Sequence, residues 1–321
     1  HSRSRKPGRK MSVLNENTII GASAAGGYEI DNSLRFNDDD SSYLSRTPSV
    51  EGNTKVHTFS GWVKMGNLAT DKGIIGARNG STLREVLYLT DFNKLQFYIN
   101  NGGIATDLTS DMVFRDASAW YHIILAVDTT QGAASNRVKL YVNGEEITVT
   151  GNYPAQNIGL QLNNTVLHYV GAFDNGGSSF DGYLAEVNFI DGLALTPDSF
   201  GEFGDYGEWK PLKYTGAHGT NGFNLKFENA SSLGNDSNGS NNWTPTNLAA
   251  TDQMVDSPTN NFCVMNPLYK NTYSVFSEGN LEVLASGGSW ASFVGSMEVS
   301  SGKRYIEVLY ADDGAGSLIG I

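Results

Sequence analysis

The sequence predicts an all-β fold: a jelly-roll sandwich followed by a second, incomplete β-sandwich domain. Two observations carry this prediction. Apolar and polar residues alternate over short segments, and turn-forming residues separate those segments. The 37 glycines among 321 residues and the scarcity of long apolar helical stripes agree with a fold of many tight turns. The strongest β segments cover residues 57–64, 120–128, 138–145 and 180–191.

A hairpin is the best-defined local element. In residues 138–142, valine and leucine alternate with polar side chains, which predicts a strand with one apolar face. Asn143-Gly144 then supplies the positive φ angles of a two-residue type I′ turn. The alternation resumes at Ile147 and Val149, so we expect the second strand of the hairpin to run through these residues.

Three further elements are defined by their patterns. Residues 121–127 are apolar on both faces, which predicts a central strand covered on both sides. In residues 95–100 every second side chain is apolar, as in a strand with one face on the core. Thr196 followed by Pro197 is the clearest helix start, and we expect one short helical turn there.

Composition divides the chain into four segments. Residues 1–27 form a flexible N-terminal arm. Its first ten residues, five of them basic, precede Met11 and are either a docking arm or a non-native remnant. Residues 28–205 form the jelly-roll domain, and residues 206–265 an ordered connector, rich in Asn, Gly and Ser, that adds a strand or two. Residues 266–321 are too few for a closed sandwich, so we expect a truncated domain or one completed by another chain.

The charge balance excludes some partners. Acidic residues outnumber basic ones by 34 to 22, and the net charge is −12. Such a surface repels phosphate backbones, so we expect no nucleic acid partner for the folded part. No apolar run approaches the roughly 20 residues of a membrane helix, so no membrane partner is expected. The lone Cys263 excludes an internal disulfide framework.

The order and spacing of four segments resemble a known family. They are FSGWVK (59–64), WYH (120–122), VKLYVNG (138–144) and FDGYLAEV (180–187). Together they are similar to the laminin-G-like domain of the concanavalin A-like lectin/glucanase fold. The resemblance covers about 170 residues and implies a laminin-G-like jelly-roll domain at residues 28–205.

A second resemblance concerns biological context. DGLALTPDSFGEF (191–203), with DSPTNNF (256–262) beyond it, is similar to a version of this domain in structural proteins of marine tailed phages, where a SPRY-like domain commonly follows. Residues 299–308 and 319–321 resemble the opening strands of such a domain. The resemblance implies a non-enzymatic virion surface protein (a fibre, appendage or decoration protein) on the particle exterior. Its partners would be other virion proteins, its own copies and cell-surface glycan.

Because glucanases share this fold, carboxylates at alternate positions of one strand would indicate a hydrolase. The nearest candidate is Glu186, but Asn188 stands two positions later and an amide cannot act as nucleophile or general acid. Asp191 falls on the opposite face of the strand. His122, between apolar neighbours, is expected in or near the core. We therefore expect no catalytic residues, and a glycan hydrolase is the least favoured alternative.

A metal site is suggested by three consecutive carboxylates, Asp38, Asp39 and Asp40, whose hard oxygen ligands suit calcium. Many domains of the resembling family carry calcium near the matching first-strand loop, with help from an acidic residue in the final strand. Ala185 stands where that family often has aspartate. A calcium site and a solvated acidic turn both remain open.

Aromatic side chains in predicted loops could stack on the apolar face of a sugar, while nearby amides and carboxylates bind its hydroxyl groups. The candidate glycan-binding residues are Tyr153, Phe173, Asp174, Asn175, Phe180 and Asp181. Alternatively, these side chains only cover the ends of the sandwich. A host-glycan-binding lectin or adhesin is therefore the main alternative to a purely structural virion protein.

Overall fold

Strands dominate the regular structure, as the sequence predicts. The computed structural model describes residues 27–68, 70–80, 83–102, 106–174, 177–286, 290–303 and 305–309. Its strands are β1 (Ser33–Phe36), β2 (Tyr43–Arg46), β3 (Val56–Met65), β4 (Lys72–Asn79), β5 (Leu83–Leu89), β6 (Lys94–Asn100), β7 (Thr106–Val113), β8 (Tyr121–Asp128), β9 (Val138–Val142), β10 (Glu145–Glu146), β11 (Val149–Thr150), β12 (Leu167–Val170), β13 (Gly182–Asp191), β14 (Gly201–Phe203), β15 (Trp209–Pro211), β16 (Phe223–Leu225), β17 (Thr244–Thr246), β18 (Gln253–Met254), β19 (Met265–Lys270), β20 (Ser274–Ser277), β21 (Glu282–Ala285) and β22 (Phe293–Gly295). Short 3₁₀ helices cover Ala134–Asn136, Pro197–Ser199 and Ala250–Asp252.

Within the described residues, two large antiparallel sheets of eight strands each form the jelly-roll sandwich. Sheet A has the order β10-β9-β8-β3-β13-β1-β18, and β16 also pairs with β13. Sheet B has the order β11-β7-β6-β5-β4-β12-β2-β17. The core between the sheets includes Leu34, Phe36, Phe59, Leu87, Leu95, Phe97, Leu125, Leu140, Phe180 and Leu184.

Strand β8 is central in sheet A, between β9 and β3, as its apolar faces predict. Leu125 points into the core, whereas Ile124 on the opposite face packs with Ile190 and Phe200. The segment around Phe200 therefore covers the outer face of sheet A. Because both faces of β8 are covered, alternate positions of this strand are not polar.

The predicted hairpin turn is confirmed. Asn143 and Gly144 have φ angles of 48° and 87°, and Val142 pairs with Glu145 across the turn. The prediction for the second strand is wrong beyond Glu146, because Val149 belongs to β11 and pairs with β7 in sheet B. The chain crosses from one sheet to the other here, so its apolar residues pack against the core at the end of the sandwich.

The short helical turn after Thr196 is also confirmed, at Pro197–Ser199. The Thr196 side chain does not cap the backbone. Its hydroxyl group donates instead to the carboxylate of Asp198.

Residues beyond 205 contribute to the sandwich as well as to separate hairpins. Strands β16 and β18 join sheet A, and β17 joins sheet B. The DSPTNNF segment lies against β3, where the buried Lys64 ammonium donates to Asp256 Oδ2 (2.7 Å), Asn261 Oδ1 (2.8 Å) and the Phe262 carbonyl oxygen (2.8 Å). The indole of Trp120 donates to Asp256 Oδ1 at 3.0 Å. Polar contacts thus hold this segment on the sandwich.

The C-terminal region contains two further antiparallel pairs in its described part, β19 with β22 and β20 with β21. The described residues up to 297 belong to one compact unit, and the described residues from 298 onward belong to another. The strand expected over residues 299–308 is not observed in the described stretches 298–303 and 305–309. Among the described residues, no strand pairs with this segment to satisfy its backbone groups.

Other predictions remain open. The N-terminal arm up to residue 26, and residues 319–321, lie outside the described residues. The SPRY-like assignment therefore stays a prediction. In the described part of the chain, no helix is long and apolar enough to span a membrane.

Candidate functional site

The carboxylate that the sequence singles out, Glu186, lies in a bulge of β13 where its pairing with β3 shifts register. Its φ angle of 45° is in the left-handed region, and its side chain is only 6% exposed. Asn224 Nδ2 donates to Glu186 Oε1 at 3.0 Å, and the Tyr28 hydroxyl group donates to the same carboxylate. Burial raises the pKa of Glu186. The strained backbone thus holds a shielded, hydrogen-bonded acid.

Asn188 accompanies Glu186 on the same side of β13, as strand geometry predicts. Asn224 Nδ2 reaches Asn188 Oδ1 at 2.9 Å, and His218 Nε2 donates to the same oxygen at 3.0 Å. An amide, held by amide and imidazole donors, therefore occupies the position that a paired catalytic carboxylate requires. Glu186 is embedded in a structural network.

His122 is buried, as predicted, and its contacts fix its protonation. The Trp209 indole, which can only donate, bonds to His122 Nδ1 at 2.9 Å. His122 Nε2, 2.8 Å from the Ser60 hydroxyl oxygen, must then carry the proton and donate. Burial lowers the pKa of His122 to about 3. His122 therefore cannot accept a proton from Ser60, and this pair is not a nucleophile with its base.

Two of the predicted glycan-binding residues are inaccessible, so their predicted exposure was wrong. Phe180 is fully buried and packs edge-on against Phe36 with ring centroids 6.2 Å apart. Its backbone N–H donates to the Gly171 carbonyl oxygen at 2.8 Å, which closes the preceding loop. Asp181 is 2% exposed. The burial of Phe180 could have been predicted from the sequence, because Phe180 and Leu184 fall on the same face of an extended chain.

The other glycan candidates lie in different surroundings. Tyr153 is half-buried against the core, and its predicted role stays a prediction. Asn175 lies outside the described residues. Asp174 forms a salt bridge with Arg78 at 2.5 Å. Phe173 is half-buried, and it belongs to a surface that the sequence did not predict.

That surface is the outer face of sheet B. We define the β5–β7 face as Arg84, Tyr88, Gln96, Tyr98, Asp107, Thr109 and Phe173, all half-exposed. The Phe173 ring stands edge-on to Tyr88 at 5.1 Å, and the guanidinium carbon of Arg84 lies 5.6 Å from the Phe173 ring centroid. The loop before β13 thus places an aromatic ring over β5.

Strand register arranges the rest of this face in rows. Tyr88, Gln96 and Thr109 are cross-strand neighbours. The Tyr88 hydroxyl group donates to Gln96 Oε1, and Gln96 Nε2 donates to Thr109 Oγ1 at 2.7 Å. In the next row, Tyr98 pairs with Asp107. Burial and the nearby carboxylates raise the pKa of Tyr88 to about 12, so it remains a neutral donor.

The alternation of β6 showed that Gln96 and Tyr98 point away from the core. It could not show which strands would flank them, because register is a tertiary property.

The predicted metal residues do not converge as a triad. Asp38 is half-buried, while Asp39 and Asp40 are exposed. Asp40 Oδ2 accepts from Asn37 Nδ2 at 3.1 Å. Among the described residues, no group of three or more His, Cys, Asp or Glu side chains is arranged to hold a metal ion.

The structure instead brings Asp38 close to Asp181, and we name Asp38, Asn67, Lys72 and Asp181 the acidic corner. Asn67 bridges its carboxylates: Nδ2 donates to Asp38 Oδ2 (2.6 Å) and the backbone N–H to Asp181 Oδ2 (3.1 Å). Asp181 Oδ1 is buried without a hydrogen-bond partner in the described structure. Burial, reinforced by Asp38, raises the pKa of Asp181 to about 7. Burial also lowers the pKa of the neighbouring Lys72 to about 8.

Several solved structures are similar to this chain. A heptameric SAP-like pentraxin from Limulus polyphemus is 16% identical, with a TM-score of 0.39 over 52% of this chain and 78% of the pentraxin. The CBM40 of a Ruminococcus gnavus IT-sialidase, bound to α2,3-sialyllactose, is 17% identical, with a TM-score of 0.32 over 42% of this chain and 73% of the module. Domains LG4-5 of the mouse laminin α1 chain are 17% identical, with a TM-score of 0.37 over 58% of this chain and 49% of the laminin chain. No curated protein matches the chain.

A laminin G-type family model, described as the Concanavalin A-like lectin/glucanases superfamily, matches residues 37–199. The match covers half of the chain and runs from the end of β1 through the short helix after β13. It therefore includes the strands of the β5–β7 face as well as the bulge at Glu186. The protein belongs to the concanavalin A-like lectin/glucanases superfamily.

Proposed function

We propose that this protein is a non-enzymatic surface protein of a tailed-phage particle and that its jelly-roll domain binds glycan. It would lie on the particle exterior as a fibre, appendage or decoration protein, beside other virion proteins and its own copies. The resemblance of residues 191–203 and 256–262 to phage structural proteins supports this location. The β5–β7 face supports the binding function.

The single observation that carries glycan binding is the composition of that face. Phe173 and Tyr98 offer aromatic surface to the apolar side of a pyranose ring. Gln96, Thr109 and Asp107 offer amide, hydroxyl and carboxylate groups for sugar hydroxyls. Phe173 lies in the loop before β13 and the other four residues stand on β6 and β7. All five remain half-exposed, so they are available to a ligand without rearrangement of the fold.

Binding without catalysis is consistent with the hydrogen-bonded side chains of Glu186 and Asn188 on β13. Glu186 is occupied by Tyr28 and Asn224, and its neighbour Asn188 cannot supply the second acid–base group. A glycan held on sheet B would also lie across the sandwich from this outer-face network of sheet A.

Truncation of Phe173 tests the binding face. Phe173→Ala is expected to weaken binding of the best ligand on a glycan array about tenfold, because a stacked ring is lost. Tyr206→Ala is the matched control, since Tyr206 is an 87% exposed aromatic on the β14–β15 hairpin. Titration calorimetry would measure both affinities. Equal losses in the two variants, or no glycan bound by the wild type, would contradict glycan binding at this face.

Contact with other virion proteins is a second function, favoured by a different observation. Large apolar side chains are exposed in β19, in β21 and between β21 and β22, among them Leu268 (62%), Tyr269 (68%), Leu284 (65%) and Trp290 (63%). Large exposed apolar side chains, where they lie together, mark protein interaction sites. A particle reconstruction should bury these side chains against a neighbouring subunit. Finding them in contact with solvent alone would rule out this role.

Calcium binding is a further part of the proposal, and the acidic corner rather than the Asp38–Asp40 triad fits it. Asp38 and Asp181 supply hard carboxylate oxygens. The buried Asp181 Oδ1 lacks a hydrogen-bond partner in the described structure. A bound cation would give this oxygen a ligand bond in its place. The ion would be held by these carboxylates and would neutralise their mutual repulsion. Lys72 already places one positive charge nearby, so the affinity should be moderate.

Calcium should therefore stabilise the fold. At pH 7.5, millimolar CaCl₂ is expected to raise the melting temperature of the wild type, because a ligand of the folded state adds stability by mass action. The shift should vanish in Asp38→Asn and persist in Asp205→Asn, which changes an exposed carboxylate elsewhere. Differential scanning fluorimetry with CaCl₂ or MgCl₂ measures it. An unchanged wild-type melting temperature, or an equal shift in Asp38→Asn, would contradict the site.

A further inference from the structure

One arginine on the β5–β7 face has no acidic partner among the described residues. Arg84 is half-buried, and its guanidinium lies over the Phe173 ring at 5.6 Å. Its Nε is buried, and no described residue accepts its hydrogen bond. A buried N–H group of a charged side chain that lacks an acceptor is costly. Arg84 is therefore a half-exposed cation on the β5–β7 face that forms no salt bridge with a described residue.

Two other half-buried arginines, Arg78 and Arg137, are engaged. Arg78 pairs with Asp174 at 2.5 Å. The guanidinium of Arg137 donates to three backbone carbonyl oxygens, each at 2.9 Å. These side chains have structural roles, whereas Arg84, which is similarly half-buried, has an Nε without a hydrogen-bond acceptor in the described structure.

The register of β4 and β5 gives an electrostatic reason to expect an anion beside Arg84. Arg78 and Arg84 are directly opposite each other on β4 and β5. Like charges at opposite positions of paired strands repel. Asp174 neutralises Arg78, and a negative group bound to Arg84 would complete the same arrangement on the neighbouring strand.

We infer that Arg84 binds the anionic group of an acidic glycan, a uronate carboxylate or a sulfate ester, whose sugar rings lie on the β5–β7 face. This inference rests on the proposed glycan-binding function and names its ligand class. The planar guanidinium fork matches the oxygen pair of a carboxylate or sulfate, and its packing on Phe173 fixes its orientation. Because the net charge of the chain is −12, long-range attraction does not favour a polyanion. Recognition must come from direct contact.

Two matched pairs of polymers test this inference and separate its two chemical sources: alginate against carboxyl-reduced alginate, and dextran sulfate against dextran. The wild type is expected to bind the charged member of at least one pair about tenfold or more tighter than its neutral counterpart. Arg84→Gln should abolish that preference. Arg84→Lys, which keeps the charge but not the fork, should retain only part of it.

Arg115→Gln is the control, because it removes an equal charge from an exposed arginine in the loop before β8 and should leave the preference unchanged. Melting temperatures confirm that the variants fold. A preference that survives Arg84→Gln, or the absence of any preference in both pairs, overturns the inference. Glycan binding itself is judged separately: an array ligand lost in Phe173→Ala but retained in Arg84→Gln would keep the proposed function and reject an acidic ligand.

Discussion

Replacement of Lys64 by methionine is expected to lower the free energy of unfolding by about 3–5 kcal/mol, the usual cost of breaking a buried ion pair from one side. The Lys64 side chain is fully buried and its ammonium lies 2.7 Å from Asp256 Oδ2. Its remaining protons go to Asn261 and to the Phe262 carbonyl oxygen. Methionine preserves most of the packing but leaves the Asp256 carboxylate buried without its counter-charge. Urea unfolding followed by tryptophan fluorescence measures the loss.

The exposed pair of Lys210 and Glu208 is the natural control. Their ammonium and carboxylate groups lie 3.1 Å apart, with side chains 30% and 45% exposed. Lys210→Met should change the free energy of unfolding far less than Lys64→Met, because water screens such an exposed pair. A loss in Lys64→Met no larger than that of the control would mean that the DSPTNNF segment is not held on β3 by this network.

Local chemistry determines some parts of this fold, and distant contacts determine others. The turn at Asn143-Gly144 was predictable because its φ angles depend on those two residues alone. The central place of β8 was predictable because its side chains are apolar on both faces. Lys64 shows the opposite case. In sequence it is a lysine at a solvent-side position of a strand, and the residue that buries it, Asp256, lies 192 positions away.

The candidate site follows the same division. Positions 186 and 188 alternate along one strand, so the sequence already placed an amide, Asn188, where a second carboxylate beside Glu186 would be needed. Phe173 was identified as an aromatic loop residue, but its partners on β5 depend on how the loop folds over sheet B. Asp181 was expected in a surface loop beside a sugar. It is buried instead, and Asn67 links it to the carboxylate of Asp38 by donating a hydrogen bond to each. These three residues are distant in sequence and meet only in the folded chain.

Asp181 makes the stability of the protein depend on pH in a direction opposite to that of a salt-bridged aspartate. Its pKa rises from 3.8 to about 7 on folding, chiefly through burial. Below about pH 4 both states are protonated and the contribution of Asp181 is fully present. As the pH rises from 4 to 7 the unfolded chain releases its proton first, so this contribution is lost. A shift of about three units corresponds to a change on the order of 4 kcal/mol.

Asp181→Asn, which keeps a neutral side chain at every pH, should remove this dependence. Relative to the wild type, the variant is expected to gain stability between pH 4.5 and 7.5, by on the order of 3 kcal/mol, because part of the full shift falls outside this pH range. The charged groups facing position 181 are Asp38, Asp39 and Lys72. The measurement ends at pH 7.5 because Lys72, with its pKa lowered to about 8, begins to lose its proton above that pH. Urea unfolding of the wild type, Asp181→Asn and the exposed control Asp205→Asn at four pH values gives the two difference curves. A flat curve for Asp181→Asn, parallel to that of the control, would mean that Asp181 is ionised throughout and that the acidic corner is open to water.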